Sequence, residues 1–195
     1  MGCSRAPRRH TIAGVTTTLL LIRHGETPTT GKVLPGRAPG LHLSERGRGQ
    51  ASRVAARLER VDAVYASPLE RARETALPTC ERFSQELLLD DALLEADFGT
   101  WTGASLAELA KLPEWKVVQE RPQEFRFPGG ESFVEMQDRV VAGLRTIAAR
   151  HEGEVVACFS HADPIKAALV HFTGRGWGAF QKIPVEPCSI SELAL

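Results

Sequence analysis

The sequence has few cysteines, no long apolar run and no excess of charge of either sign. Its four cysteines, at positions 3, 80, 158 and 188, form no CxxC pair, which favours free thiols over a disulfide framework. No apolar run approaches the roughly 20 residues that cross a bilayer, and no signal-peptide stretch is present, so we expect a cytoplasmic protein without a membrane partner. The 24 basic residues balance 24 acidic ones, which argues against a nucleic-acid partner.

Three common catalytic signatures are also missing. The six histidines form no HExxH or HxxxH pair, so the spacing of metal ligands is lacking. No glycine-rich segment ends in Gly-Lys-Ser or Gly-Lys-Thr, which excludes a P-loop. There is no GxSxG elbow, and Ser160, His161 and Asp163 are too close in sequence to form a catalytic relay. We therefore expect chemistry that needs neither a metal nor another cofactor.

Short apolar runs alternate with amphipathic stretches along the chain. The patterns predict strands at 19–22, 61–65, 155–159 and 189–195, helices at 44–59, 68–83, 133–150 and 164–172, and an irregular segment at 110–131. Ser-x-x-Glu capping boxes predict helix starts at Ser67, Ser105 and Ser132, and Asp163 is predicted to cap the last helix. This alternation is typical of a three-layer α/β fold, in which helices flank a mainly parallel central sheet. We expect one domain at 17–195 after a disordered tail at 1–16.

The residues after the apolar runs carry the candidate chemistry. Arg23 and His24 follow the first strand, Arg71 lies one helical turn beyond the second, and His161 follows the third. Ligands of open α/β sheets bind beyond the carboxyl ends of the strands, so these side chains should converge. Arginine offers a planar fork of donors that suits a phosphate dianion. A neutral His24 can then attack phosphorus while the two arginines and His161 hold the phosphate oxygens.

A leaving alkoxide also needs a proton donor, and Glu95 is the best candidate. It opens the loop at 95–103, whose aromatic residues and glycines can form an apolar wall that raises the pKa of a carboxyl. Asp97, in the same loop, is the alternative. Thr27 is a candidate substrate-binding residue, although it and Glu26 could equally complete the loop turn after His24.

The segments at 21–27, 66–72, 95–103 and 159–161 carry a resemblance to a known family. They resemble the signature segments of the histidine phosphatase superfamily, which has the phosphoglycerate mutase-like fold, and the likeness extends from Thr17 to the C-terminus. This resemblance implies a phosphorylated histidine at His24 and a proton donor at Glu95. It further implies that Arg37, before the first helix, faces substrate. The phosphate-binding residues that it implies are Arg23, Arg71 and His161.

Two departures from the mutases of this superfamily favour a phosphatase. Pro28-Thr29-Thr30 stands where those mutases usually carry Trp-Asn, and the longer insertion after the proton-donor loop is missing. The segment at 114–132, in contrast, resembles a bacterial subgroup that carries a phosphomutase label. We expect metal-independent hydrolysis of a small phosphorylated metabolite, with a phosphomutase as the alternative. A non-catalytic phospho-ligand binding module is a second alternative, although binding alone would not require Glu95. The sequence predicts no oligomeric state.

Overall fold

The computed structural model describes residues 16–195. The strands are β1 (Thr18–Arg23), β2 (Ala63–Ala66), β3 (Leu87–Leu89), β4 (Val155–Ser160) and β5 (Ile190–Ala194). The helices are α1 (Glu45–Arg57), α2 (Glu70–Phe83), α3 (Leu106–Leu109), α4 (Pro113–Glu120), α5 (Phe133–Arg150) and α6 (Ala162–Thr173). Apart from Thr16, the tail predicted at 1–16 lies outside the described residues, as does Cys3.

The sheet has the strand order β3-β2-β4-β1-β5. Strands β1 and β2 both run parallel to β4, β3 runs parallel to β2, and β5 is antiparallel to β1. Side chains alternate between the two faces of a strand. On β1, Leu19 and Leu21 pack into the core that contains α5. Leu20 and Ile22 point to the opposite face and pack into the core that contains α1 and α2. The predicted three-layer α/β fold is therefore confirmed.

The register of the central strands determines where the site forms. Arg23 of β1 pairs with Ser160 of β4, and Ala66 of β2 pairs with Phe159, one residue earlier on β4. The three strands therefore end together at one edge of the sheet. His24, Ser67 and His161 are the residues that directly follow them.

The predicted helix starts at Ser44, Ser105 and Ser132 are confirmed. Ser44 is the N-cap of α1 and its Oγ accepts a hydrogen bond from the amide of Gly47 at 3.0 Å. Ser132 begins α5 with a complete capping box, in which the side chains of Ser132 and Glu135 each accept from the other's amide. Each side chain satisfies an amide that would otherwise have no partner in the first turn.

Two helix starts differ from prediction, and the capping box at Ser105 is incomplete. Helix α2 begins at Glu70 with Leu69 as its N-cap, and the Ser67 hydroxyl lies 2.8 Å from Nε2 of His161. Helix α6 begins at Ala162 with His161 as its N-cap, so Asp163 lies inside the first turn. Ser105 is the N-cap of α3, yet its side chain accepts no capping hydrogen bond.

The prediction of an irregular segment at 110–131 is wrong for its first half. Helix α4 begins with Pro113 at its first position, which suits the fixed φ of proline. Trp115 and Val118 are three residues apart and pack into the core from one face of this helix. The short edge strand β3 was not predicted either, since three leucines give no clear period.

The described cysteines and helices agree with two expectations from the sequence, free thiols and the lack of a membrane-spanning segment. Cys80, Cys158 and Cys188 are free and buried, as the sequence predicts. Among residues 16–195, no helix combines the length and the apolarity that a membrane crossing requires.

Candidate active site

His24 lies at the carboxyl end of β1 and is only 5% exposed. Its Nδ1 is 2.7 Å from the carbonyl oxygen of Gly25; a carbonyl oxygen can only accept, so Nδ1 carries the hydrogen and Nε2 keeps its lone pair. Burial, followed by the charge of Arg71, lowers the pKa of His24 to about 3, with a smaller contribution from Arg23. The imidazole is therefore neutral at physiological pH and offers a nucleophilic nitrogen.

Two glycines hold the His24 loop against α1. A Cβ on Gly25 would lie 2.7 Å from the carbonyl oxygen of Gly47, and one on Gly47 would lie 2.0 Å from that of Glu26. The amide of Gly25 also donates to Thr75 Oγ1 on α2 at 3.0 Å. The two helices therefore fix the backbone that carries the nucleophile.

His161 is fully buried beside His24. The two imidazole rings meet edge to face, with centroids 5.2 Å apart and an interplanar angle of 60°. Ser67 Oγ lies 2.8 Å from Nε2 of His161, whereas the buried Nδ1 has no hydrogen-bond partner in the described part of the chain. Burial, together with the charges of Arg71 and Arg23, holds the pKa of His161 well below its ordinary value. A hydroxyl that donates to Nε2 leaves Nδ1–H as a donor for a ligand.

Arg71 and Arg23 present buried guanidinium donors that the protein leaves unused. Arg71 is 0% exposed, and its Nη2 donates to the carbonyl of Gly36 at 2.8 Å. Arg23 Nη1 donates to the carbonyl of Val185 at 2.7 Å. Within residues 16–195, Nε of both arginines and Nη1 of Arg71 have no acceptor. Buried donors in this state are costly unless a ligand completes them, and an oxyanion is the complementary ligand.

Glu95 is a buried carboxyl, 7% exposed, whose Oε1 accepts from the amide of Ala96 at 2.9 Å. Burial and then the negative charge of Asp163 raise the pKa of Glu95 to about 7, against the opposing charges of Arg71 and Arg23. A carboxyl with this pKa can donate a proton at neutral pH and accept one later in the same cycle.

A cavity of about 290 Å³ reaches the site at Arg23 and Glu95, whereas His24, Arg71 and His161 are absent from its lining. Its charged lining consists of Arg23, Glu95, Asp163 and Lys166, and its apolar wall includes the residues at 34, 98, 115, 118, 127 and 133. Two larger grooves, of about 510 and 450 Å³, are lined by none of the predicted catalytic residues. Chemistry rather than size therefore identifies the smaller cavity as the candidate substrate site.

The remaining candidates have other contacts. Arg37 Nε donates to the carbonyl of Glu95 at 2.8 Å, and its Nη2 donates to Glu131 Oε2 at 2.9 Å. Thr27 is buried, and its amide donates to Thr30 Oγ1 at 2.9 Å within the loop turn. Asp97 Oδ1 accepts from the amide of Gly99 at 3.0 Å, which closes the turn after Glu95. The structure thus brings Arg23, His24, Arg71, Glu95 and His161 together, while Thr27 bonds within its own turn and Arg37 contacts neighbouring loops.

Sequence reasoning missed two residues of the site. The sequence predicts that Ser67 is a helix cap, whereas its hydroxyl contacts His161 and orients that ring. The sequence predicts that Asp163 is also a helix cap, whereas it lines the cavity and raises the pKa of Glu95. The signal for Ser67 was its position directly after a central strand, which it shares with His24 and His161.

A family model described as the histidine phosphatase superfamily (branch 1) matches residues 19–195. The chain belongs to the histidine phosphatase superfamily. This confirms the resemblance that the four sequence segments carry, and the superfamily's phosphoglycerate mutase-like fold agrees with the sheet described above.

Several named proteins are similar to this chain over most of its length. Bifunctional protein Rv2228c of Mycobacterium tuberculosis is 36% identical over 182 residues, which cover 91% of this chain but only 50% of that protein; the chain thus spans half the length of this relative. Phosphoserine phosphatase 1 of Hydrogenobacter thermophilus is 34% identical over 180 residues, which cover 89% of this chain and 84% of that protein. The structure of a phosphoserine phosphatase mutant from Entamoeba histolytica, solved with phosphoserine, is 27% identical with a TM-score of 0.80, covering 90% of this chain and 89% of that one.

Proposed function

We propose that this protein is a phosphatase that hydrolyses a small phosphomonoester through a phosphohistidine on His24, without a metal ion. The observation that carries the proposal is the combination of a neutral nucleophile and an anion site at one edge of the sheet. His24 Nε2 is free to react, and buried donors of Arg23 and Arg71 lack acceptors among the described residues. Glu95, with its pKa raised to about 7, supplies the proton that a phosphate-binding module would not need.

In the first half of the reaction, the lone pair of His24 Nε2 attacks phosphorus and the bond from phosphorus to the ester oxygen breaks. Glu95 gives its proton to that oxygen, so the leaving group departs as a neutral alcohol. Arg23 and Arg71 hold the equatorial oxygens of the phosphoryl group, where negative charge accumulates in the transition state. The enzyme is left with a phosphohistidine and an ionised Glu95.

In the second half, water attacks the phosphorus of the phosphohistidine. The Glu95 carboxylate takes the proton of this water, and the bond between phosphorus and His24 Nε2 breaks. Inorganic phosphate leaves, and both residues return to their starting protonation states. Glu95 carries out both proton transfers, with water returning the proton that the alcohol took, and the two arginines supply the positive charge, which is why we propose that no metal is needed.

Phosphoserine is the first substrate to test. Asp163 and Lys166 lie in the cavity wall, with Asp163 Oδ1 and Lys166 Nζ 3.5 Å apart. A carboxylate and an ammonium side by side are complementary to the ammonium and carboxylate of an amino acid. The names of two similar proteins, both phosphoserine phosphatases, support the same candidate.

The test is phosphate release from a panel of phosphomonoesters, including phosphoserine, in excess EDTA. We expect the wild-type protein and a His42→Ala control to release phosphate, because His42 is exposed and is absent from the cavity lining. His24→Ala should be inactive, and retention of more than about a hundredth of the rate would contradict the nucleophile assignment. Transfer of the phosphoryl group to a second position of the substrate, without release, would identify a mutase instead.

A further inference from the structure

The carboxylate of Glu131 lies between two arginines. Its Oε1 accepts from Arg139 Nε at 2.9 Å, and its Oε2 accepts from Arg139 Nη2 at 3.0 Å and from Arg37 Nη2 at 2.9 Å. Burial raises the pKa of Glu131, but the hydrogen bond and charge of Arg139, the amide of Asp97 and the charge of Arg37 together hold it below the ordinary value. The carboxylate is therefore ionised and fixes the orientation of both guanidinium groups.

Both arginines also reach the backbone that carries Glu95. Arg37 Nε donates to the carbonyl oxygen of Glu95 at 2.8 Å, and Arg139 Nη2 lies 3.5 Å from the same atom. Arg139 Nη1 donates to three further carbonyls in the segment that leads to Glu95, those of residues 91, 92 and 94, at 3.2, 2.9 and 3.2 Å. The segment at 91–95 is thereby held by one guanidinium group along its length and by a second at its end.

Glu131 also binds the backbone that follows Glu95, at Asp97. Its Oε2 accepts from the amide of Asp97 at 3.2 Å, and its own amide donates to the carbonyl of Asp97 at 2.9 Å. The neighbouring backbones are in close contact, since a Cβ on Gly130 would lie 2.2 Å from the carbonyl oxygen of Asp97. Residues on both sides of Glu95 are thus tied to one carboxylate.

We propose that Arg37, Glu131 and Arg139 are positioning residues for the general acid Glu95; this inference rests on the proposed function. Arg37 and Arg139 reach the backbone carbonyl of Glu95, and Glu131 accepts from both arginines, so the three act through the backbone that carries Glu95. Two of the nitrogen atoms of Arg37 are already engaged with Glu95 and Glu131, which favours this role over substrate binding. Proton transfer is sensitive to a displacement of about 1 Å, which can change a rate about 100-fold.

The dependence of rate on the leaving group separates positioning of the acid from general stability. A Glu131→Gln variant keeps the size of the side chain but turns an NH2 group toward arginine donors. We expect it to slow the hydrolysis of an alkyl phosphate such as phosphoserine about 10- to 100-fold, and that of p-nitrophenyl phosphate less than about 3-fold, because nitrophenolate leaves without a proton. Glu135→Gln is the matched control, since Glu135 is exposed, lies four residues away and pairs with Arg126.

Each outcome bears on one claim. If wild-type protein hydrolyses neither ester, the proposed function fails. If wild-type protein is active and Glu131→Gln slows both esters equally, the positioning role is wrong. Should Glu131→Gln fail to fold by circular dichroism, Arg37→Gln provides the same test, because the Arg37 side chain is more exposed, at 32%, than that of Glu131, at 16%. For that variant we expect the same selective loss of kcat, whereas a raised KM with unchanged kcat would show that Arg37 binds substrate and would overturn the inference.

Discussion

Arg71 Nη2 donates to the carbonyl oxygen of Gly36 at 2.8 Å, and this is the one hydrogen bond that the fully buried guanidinium makes within the described chain. A buried cation with so few acceptors destabilises the unliganded fold. A phosphate dianion would supply acceptors for Nε and Nη1. The fold therefore holds an arginine in a state that a bound anion would complete.

Arg71→Met should abolish the stabilisation of the protein by inorganic phosphate. A ligand that binds only the folded state stabilises it by about 2.7 kcal/mol at 100 times its Kd, and we expect a matching rise in the wild-type Tm. The methionine variant should show no such rise, and its Tm without phosphate should equal or exceed that of the wild type. Arg73→Met, on the exposed face of the same helix, should respond like the wild type. An equal response of both variants would contradict the anion site.

Glu95→Gln should change stability in a pH-dependent way. Burial raises the pKa of Glu95 from 4.5 to about 7, so the folded state binds a proton that the unfolded state has lost between these values. Stability from this group is therefore fully present below about pH 4.5 and falls as the pH rises through about 7. We expect the variant to melt at a higher temperature than the wild type at about pH 8 and at a similar temperature at about pH 4. A difference in Tm that is independent of pH would refute the raised pKa.

Gly130→Ala should disturb the contact between the loops at 97–99 and 128–131. The new Cβ would lie 2.2 Å from a backbone oxygen of Asp97, so the loops must separate at a cost of about 1–3 kcal/mol of unfolding free energy. Gly178→Ala is the control, because no heavy atom lies within 4 Å of its Cβ and its φ is not positive; its effect should stay within about 0.5 kcal/mol. Urea denaturation measures both values, and comparable effects of the two variants would show that the close approach is unimportant.

The sequence predicts the principal site residues because short apolar runs show where the strands end. His24, Arg71 and His161 follow apolar runs, and parallel strands place their carboxyl ends at one edge whatever the loops do. The prediction that Ser67 caps a helix is wrong because a serine followed by proline and glutamate also fits a capping box. Its hydroxyl meets His161, a residue 94 positions away, and a local pattern carries no trace of such a contact.

The hydrogen bonds among Arg37, Glu131 and Arg139 could not be predicted from the sequence for the same reason. Arg37 meets the Glu95 carbonyl across 58 positions and Glu131 across 94, so no local spacing reveals these contacts. Likewise, helix α4 depends on the burial of Trp115 and Val118 in a core assembled from distant segments. Propensity alone is too weak to specify a helix of 8 residues.

The most direct test of the proposed mechanism is to trap the phosphoenzyme. Wild-type protein, mixed with phosphoserine and quenched with alkali within the first turnover, should carry one phosphoryl group, and peptide mass spectrometry should place it on His24. The modification should be lost in acid, as expected of a phosphorus–nitrogen bond, and should be absent from His24→Ala. A phosphoryl group on any other residue, or rapid phosphate release with no phosphoenzyme under these conditions, would contradict nucleophilic catalysis by His24.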